Sequence, residues 1–506
     1  MAPRLADLLA GLSRFADLGF GLDGGTAARS SVLAVRLAQA LGLTDADARV
    51  AFYTALLHHV GCVGYAHETA QLFGDELVAN VAAGRSDHAS AADMFATFLP
   101  TLTRGRSPAD RVRLGMALVT TGRRWGEAYT TAACEVGRDA ARRLGLPTAV
   151  QDSLMHVYDL WRDQGEGIPI GAQIARLTGI AAAFDSIGGA DGSLAAVRRR
   201  RGGMLTPAVV DVFLAHGRAW LGDLTRVDPT AAVLAAEPDP VVSVVDLRAV
   251  AEVFGDLVDL KSPCFLGHSR SVATLAADAA RRVRLPEDAC ADLEIAGLLH
   301  DVGCVAISSR IWDTQARLTA DDWEQVRLHP YYSERILAAS TELSRLAPLV
   351  GRHHERLDGS GYHRGSTAGD LDLASRILAA AERYRTGVEP RPHRTAATAD
   401  SARRALLADV DAGRLDADAA RAVLAAAGDA TVPEHSYSPA GLTEREVEVL
   451  RLLAHGLSNP EIGKLLVVSR RTAEHHVQHV YAEIGVSTRA AATLFAVEHG
   501  LVGRNG

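Results

Sequence analysis

The strongest constraint on how this chain can fold is that it repeats itself. The run LLHHVGCVG, with His58 and Cys62, returns as LLHDVGCVA, with His300 and Cys304, at an offset of 242 residues (300 − 58 = 242). Upstream, RLAQALGLTDADA matches RRVRLPEDA at the same offset, Leu43 against Leu285, and His88 falls near the position matching His329 (329 − 88 = 241). Self-similarity at a fixed spacing means one structural unit built twice. In the second copy, SRSVATLAADAARRV and LEIAGLLHDVG fill positions i, i+3, i+4 and i+7 with apolar residues, the helical period. Gly303 is placed to end the helix that carries His300 and Asp301. DLKSP (Asp259 to Pro263) and LDGSGYHRGSTAGD are loops by their Gly, Ser and Pro content. The expected fold class is all-α, with tandem related helical domains.

A chain of 506 residues is too long for one hydrophobic core. The expected division is 1–240 for the first copy and 241–430 for the second, then a linker, 431–441, and a third domain, 442–506. The linker is marked by Pro, Gly and Ser in GDATVPEHSYSPAG. A net charge of −8 argues against a chain that coats nucleic acid or membrane wholesale, so any DNA contact must be local. Five cysteines without CxxC spacing fit reduced thiols. The N-terminal MAPRLADLLAGLSRF interrupts its apolar positions with Arg4, Asp7 and Arg14, unlike a signal peptide. No uninterrupted apolar run of about 18 residues suggests a spanning helix. A cytoplasmic protein without a membrane partner is expected.

The second copy is rich in metal-site side chains. His268, the pair His300 and Asp301, His329, the pair His353 and His354, and Glu382 follow in order between helical stretches. Imidazole and carboxylate suit zinc, manganese or iron, and the two oxygens of an Asp can bridge two ions. In the first copy His59 replaces that Asp and Thr26 lies at the offset position of His268. An imidazole directs one lone pair at a time and cannot bridge as a carboxylate does. HVYDLWRDQGEGIP is a worn counterpart of HHERLDGSGYH, and AAAFDS with Asp185 occurs where AAAERY with Glu382 occurs in the second copy. The first copy is therefore expected to lack a two-metal centre and to serve as a structural, dimerising or ligand-sensing domain.

GHSRSVATLA, LLHDVGCVAIS, HPYYSERIL and HHERLDGSGYH resemble the HD superfamily of metal-dependent phosphohydrolases, in its HD-GYP branch, which hydrolyses cyclic di-GMP. The resemblance implies that His268, His300, Asp301 and Glu382 hold one divalent transition metal (Mn, Fe or Zn). Asp301 would bridge to a second ion on His329, His353 and His354. It makes His300 and Asp301 the catalytic pair, and Lys261, Cys304, Asp358, Gly361, Tyr362, Arg391 and Arg394 the candidates for ligand binding. Two cations close together can activate water and stabilise charge on phosphoryl oxygens. The sequence departs from the family pattern in four places: Gly361-Tyr362-His363 replaces GYP, Cys304 replaces a lysine, Glu382 replaces an Asp, and Arg385 takes the next acidic position.

After the linker, Thr443 and Glu446 have capping-box spacing, and Val447, Leu450 and Leu453 share a helix face. SNPEIGKLL reads as a second helix, RRTAEHHVQHVYAEIG as a third capped by Ser469, and a fourth follows Ser487. This segment resembles the LuxR-type helix-turn-helix domain along its whole length. The resemblance puts the third helix in the major groove of double-stranded promoter DNA, with Ser469, Arg470, Arg471, Thr472, His475, His476 and His479 as contacts and Lys464 toward the backbone. Glu474 stands where many members carry Lys. From Ala440 onward there are seven basic and seven acidic residues, so the domain has no basic footprint. The last helix, TRAAATLFAVEHG, is the expected dimerisation element of a homodimer.

The chain thus reads as a DNA-binding transcriptional regulator whose metal-binding domain senses or hydrolyses a cyclic dinucleotide or related phosphodiester. Two alternatives stand beside this: an active cyclic di-GMP phosphodiesterase with DNA binding secondary, and a non-catalytic scaffold that controls dimerisation of the DNA-binding domain.

Overall fold

The computed structural model describes residues 3–22, 24–238, 246–428, 440 and 442–502. They form two compact units divided between Asp246 and Leu247, with Ala339–Leu343 grouped with the first. Among the described residues the elements are helices and none is a β-strand, so the all-α expectation holds. No helix among them is long and apolar enough to cross a membrane. The expected linker lies, apart from Ala440, outside the described residues.

The same series of elements occurs in both units, 242 positions apart. Leu5–Phe20, Thr26–Ala40, Asp45–Leu57 and the 3-10 helix Val60–Tyr65 begin where Leu247–Asp259, His268–Arg282, Glu287–Leu299 and Val302–Ala306 begin in the second unit (268 − 26 = 242). The capping repeats as well. Thr26–Ala40 and His268–Arg282 each start after a glycine with positive φ, 110° at Gly25 and 75° at Gly267, which has no side chain to cap the free N–H groups. A buried carboxylate on the preceding helix takes that role. Asp17 accepts from the N–H of Gly25 at 2.7 Å and of Ala27 at 3.0 Å, and Asp259 accepts from the N–H and hydroxyl of Ser269 at 3.3 and 2.7 Å.

Gly303 does not end a helix by left-handed geometry. The helix Glu287–Leu299 is followed directly by His300 and Asp301, and Gly303 sits in the next 3-10 helix without a positive φ. What requires glycine there is close approach: an added Cβ would meet the His329 carbonyl oxygen at 2.1 Å and the Ser333 nitrogen at 2.5 Å. In the first unit a Cβ on Gly61 would meet the Ala133 carbonyl oxygen at 2.0 Å and the Gly137 nitrogen at 2.8 Å. Ala133, not His88, therefore holds the backbone position of His329. The offset fails here because helices including Ala66–Phe73 and Glu76–Arg85 precede the long helix Pro108–Arg143 that carries Ala133. His88 instead pairs its Nε2 with the Ala83 carbonyl at 2.8 Å.

The C-terminal segment folds as four helices, Glu444–Ala454, Asn459–Leu465, Arg470–Ile484 and Arg489–Glu498. Thr443 with Glu446 and Ser458 with Glu461 make capping boxes, and the Ser469 hydroxyl accepts from Thr472 N. Val447, Leu450 and Leu453 enter a core with Ile462, Ala473, Val477 and Val480. In the last helix Ala490, Leu494, Ala496 and Val497 are buried within the chain.

Candidate metal centre and nucleic-acid interface

The metal-site residues come from helix ends, where a side chain is anchored by a rigid element yet projects beyond it. His268 and His329 are the first residues of His268–Arg282 and His329–Leu337, His300 and Asp301 follow the end of Glu287–Leu299, and His353 and His354 follow Ala347–Val350. Glu382 comes from the interior of Leu373–Val388. The structure brings all seven together. Ligating atoms of His268, His300 and Glu382 lie within 4.8 Å of one another, as do those of His329, His353 and His354.

Asp301 stands between the two groups and divides its oxygens between them. Its Oδ2 is 3.6 Å from His268 Nε2 and 3.4 Å from His300 Nε2, while Oδ1 is 3.2 Å from His329 Nε2 and 3.5 Å from His353 Nε2. Glu382 Oε2 lies 2.9 Å from His268 Nε2 and 3.5 Å from His300 Nε2. The opposite edge of each ring is fixed. Nδ1 donates to the carbonyl of Gly297 from His300 (2.8 Å), of Val326 from His329 (2.6 Å) and of Val350 from His353 (2.6 Å). Those bonds select the tautomer whose Nε2 lone pair faces the centre.

These residues fit divalent ions. His268 Nε2, His300 Nε2, Asp301 Oδ1 and Glu382 Oε2 are buried without a hydrogen-bond partner, and His329 Nε2 faces His353 Nε2 at 3.0 Å. Lone pairs that converge in a buried site call for a cation between them. Against the pull of burial, His300, His329 and His353 hold Asp301 well below the usual carboxylate range, and His268 and His300 do the same for Glu382. Burial also opposes charge on His268 and His300, but Glu389 and Glu382 hold the first well above its ordinary value, and Asp301 and Glu382 push the second up to about 10. Burial takes His353 down to about 4 and lowers His354 as well. Ionised carboxylates and histidines thus face each other on the Glu382 side, while burial disfavours charge on His353 and His354.

The other candidates divide. Tyr362 stacks on His354 at 4.7 Å, and Gly361 packs where a Cβ would meet Arg356 N at 2.5 Å. Cys304 is fully buried beside Asp301 and His329, and burial pushes its thiol well above the ordinary range. Lys261 is buried too and donates to the Val305 carbonyl at 3.3 Å. Three more candidates make bonds within the chain. Asp358 accepts from the backbone and hydroxyl of Ser360 at 3.0 and 2.7 Å, which fixes its own loop. Arg394 donates to the carbonyls of Gly387 and Glu389 at 3.1 and 3.2 Å, closing the end of the Leu373–Val388 helix. Arg391 donates to the Cys264 carbonyl at 2.8 Å and lies over the Phe265 ring. The residue missed was Glu389, whose Oε2 pairs with His268 Nδ1 at 2.7 Å. Its signal was the spacing of two helical turns from Glu382, but it lies just past the helix end.

In the C-terminal domain Lys464, Ser469, Arg470, Arg471, Thr472, His475 and His479 are exposed, and His476 is half-buried. Ser469 through His479 share the start of one helix, Arg470–Ile484. Arg470 Nε pairs with Glu474 at 2.7 Å, His475 stacks on His479 at 5.1 Å, and the Arg471 side chain is exposed.

Residues 252–419 match the family model described as HD domain, and residues 440–496 match that of bacterial regulatory proteins, luxR family. Among curated relatives, the 3′3′-cGAMP-specific phosphodiesterase 3 of Vibrio cholerae serotype O1 is 26% identical over 410 residues, spanning 79% of this chain and 89% of the relative. The 3′3′-cGAMP-specific phosphodiesterase 1 of the same organism is 30% identical over 171 residues, 34% of this chain and 40% of that one. A cyclic di-GMP phosphodiesterase of Thermotoga maritima is 30% identical over 150 residues, 29% and 41% of the two chains. The crystal structure of a cyclic GMP-AMP specific phosphodiesterase of V. cholerae superposes with a TM-score of 0.58 at 23% identity, covering 85% of this chain and 98% of that one, a likeness of fold. The chain therefore contains an HD domain at residues 252–419, akin to those of cyclic-dinucleotide phosphodiesterases, and a luxR-type helix-turn-helix domain at residues 440–496.

Proposed function

We propose that this chain is a DNA-binding regulator whose HD domain holds two divalent metal ions and hydrolyses the phosphodiester of a cyclic dinucleotide. The observation that carries the reading is the single carboxylate of Asp301, with one oxygen toward His268 and His300 and the other toward His329 and His353. His268, His300, Asp301 and Glu382 would hold one ion, and Asp301, His329, His353 and His354 the other. A pair of divalent ions supplies Lewis-acid stabilisation of the phosphoryl oxygens and lowers the pKa of water. The chain's part is to hold that geometry: backbone carbonyls fix three imidazoles by their Nδ1, Glu389 fixes a fourth, and Tyr362 braces His354. The substrate class rests on the relatives, which are named for 3′3′-cGAMP and cyclic di-GMP.

One observation favours a second reading, in which the domain senses the nucleotide without turning it over. Cys304 is buried, uncharged and beside Asp301, in the position where the family resemblance implies a lysine. The experiment is elemental analysis of the purified chain followed by turnover of 3′3′-cGAMP and cyclic di-GMP after loading with manganese or iron. Metal with hydrolysis that disappears in Asp301→Asn supports the enzyme. Metal with nucleotide binding and no hydrolysis supports the sensor, and absence of metal refutes both.

The remainder belongs to the same reading. The third helix of the C-terminal domain would contact promoter DNA through Arg470, Arg471 and Thr472 in a cytosolic setting. The first unit would be a second HD-like copy that has lost its metal chemistry, a view supported by the shared element offsets and by Thr26 and Ala133 at the positions of His268 and His329. Pairing of two chains is supported by exposed Val112, Met116 and Val119, spaced four and three residues apart on one face of Pro108–Arg143.

A further inference from the structure

The first unit contains a cavity of about 240 Å³ around His58 and His59, at the sequence positions of His300 and Asp301. It is not a metal site in another guise. Among the described residues no carboxylate lines it and no group of three metal-ligating side chains forms in this unit.

His58 is 7% exposed, and neither of its ring nitrogens has a hydrogen-bond partner. A neutral imidazole carries one donor and one acceptor, so this side chain presents an unsatisfied pair of opposite kinds. Burial keeps both histidines uncharged, lowering His58 well below its ordinary value and His59 to about 4. The walls have flat faces. Phe20 stacks on His59 at 4.1 Å and His59 on His58 at 4.2 Å, and Phe184 and Ile180 add apolar surface. Arg85 is the cation among the lining residues, and Ile187, 58% exposed, stands at the rim.

We propose that this cavity is a binding site for a planar nitrogen heterocycle bearing an anionic group, the chemistry of a mononucleotide. The ring would lie against the aromatic faces, a polar group on its edge would pair with one ring nitrogen of His58, and its anionic group would face Arg85. Binding is non-covalent and needs neither metal nor the HD centre.

Isothermal titration of AMP and of GMP into the full-length chain tests it, in the presence of EDTA and on an Asp301→Ala background that removes the HD centre as a competing site. The expected result is one saturable site per chain for at least one of the two, weakened by about tenfold or more in His58→Phe and in Arg85→Met. Ala183→Trp fills the cavity from a lining position without removing a polar group, and it should abolish binding. Circular dichroism identifies any variant that fails to fold, and Ala183→Trp decides if His58→Phe does. No saturable binding of either mononucleotide overturns the proposal, as does undiminished binding in folded Ala183→Trp.

Discussion

Replacing Gly303 by alanine should uncouple the metal centre from the helix that completes it. Ordinary contact begins near 3.4 Å, and the new Cβ would sit 2.1 Å from the His329 carbonyl oxygen, a shortfall of about 1.3 Å (3.4 − 2.1) against rigid backbone. Relief requires the 3-10 helix Val302–Ala306 and the helix His329–Leu337 to move apart. That movement strains the bond from Gly303 N to the Ser333 hydroxyl, now 2.8 Å, and the 3.2 Å approach of Asp301 to His329. Over-packing of this kind costs about 1–3 kcal/mol, and loss of a buried hydrogen bond adds about 1 kcal/mol or more. We expect a loss of about 3 kcal/mol in urea denaturation, and metal content reduced toward one ion per chain by elemental analysis. Gly61→Ala is the control: its Cβ would meet the Ala133 carbonyl oxygen at 2.0 Å, so it should destabilise the first unit and leave metal content unchanged. Full metal content with stability within about 0.5 kcal/mol of wild type for Gly303→Ala would refute the close-approach argument.

Three further outcomes are expected. Glu389→Gln should weaken metal binding by about tenfold to a hundredfold in a competitive chelator titration, because it removes the carboxylate that orients His268; unchanged affinity would dismiss its positioning role. Arg471→Ala should reduce affinity for promoter DNA in a mobility-shift assay and lower the salt dependence by about one unit of slope, with an unaltered melting curve; equal affinity would count against the third helix as the reading element. Because the folded-state pKa of His59 is depressed to about 4, its contribution is present above its unfolded value near 6.5 and is lost as pH falls from there toward 4. Stability should therefore drop on acidification, and less so in His59→Phe, as judged by urea melts at about pH 7 and about pH 5. An identical pH response in the two proteins would contradict that assignment.

What could be read in the sequence was whatever depends on residue type and order. The repeat was legible because LLHxVGCV is specific, and the cluster of His, Asp and Glu because metal chemistry restricts candidate side chains to a few types. The helix-turn-helix was legible because capping residues announce each helix start, as Thr443, Ser458 and Ser469 do. Contacts set by packing were not. Gly303 looked like a helix terminator, yet its constraint comes from a helix that begins 26 residues later (329 − 303). The carbonyl partners of Arg391 and Arg394 were not legible either, because a guanidinium bonded to carbonyls has the same letter as a free one. His88 matched His329 by counting alone, and extra helices in the first unit carried it elsewhere. The cavity beside His58 had no sequence signal, since a void is defined by what surrounding side chains leave unfilled.

The borrowed caps of Thr26–Ala40 and His268–Arg282 bear on how the chain acquires its structure. A helix of 15 residues is marginal in water on its own, and these two begin at a glycine that cannot cap them. Asp17 and Asp259 become effective acceptors only once the preceding helix has docked, so secondary and tertiary structure form in one step rather than in sequence. A peptide cut out between Gly25 and Leu41 would be largely unstructured, and during synthesis each helix must wait for its predecessor to be in place, which makes folding of each unit cooperative from its first pair of helices.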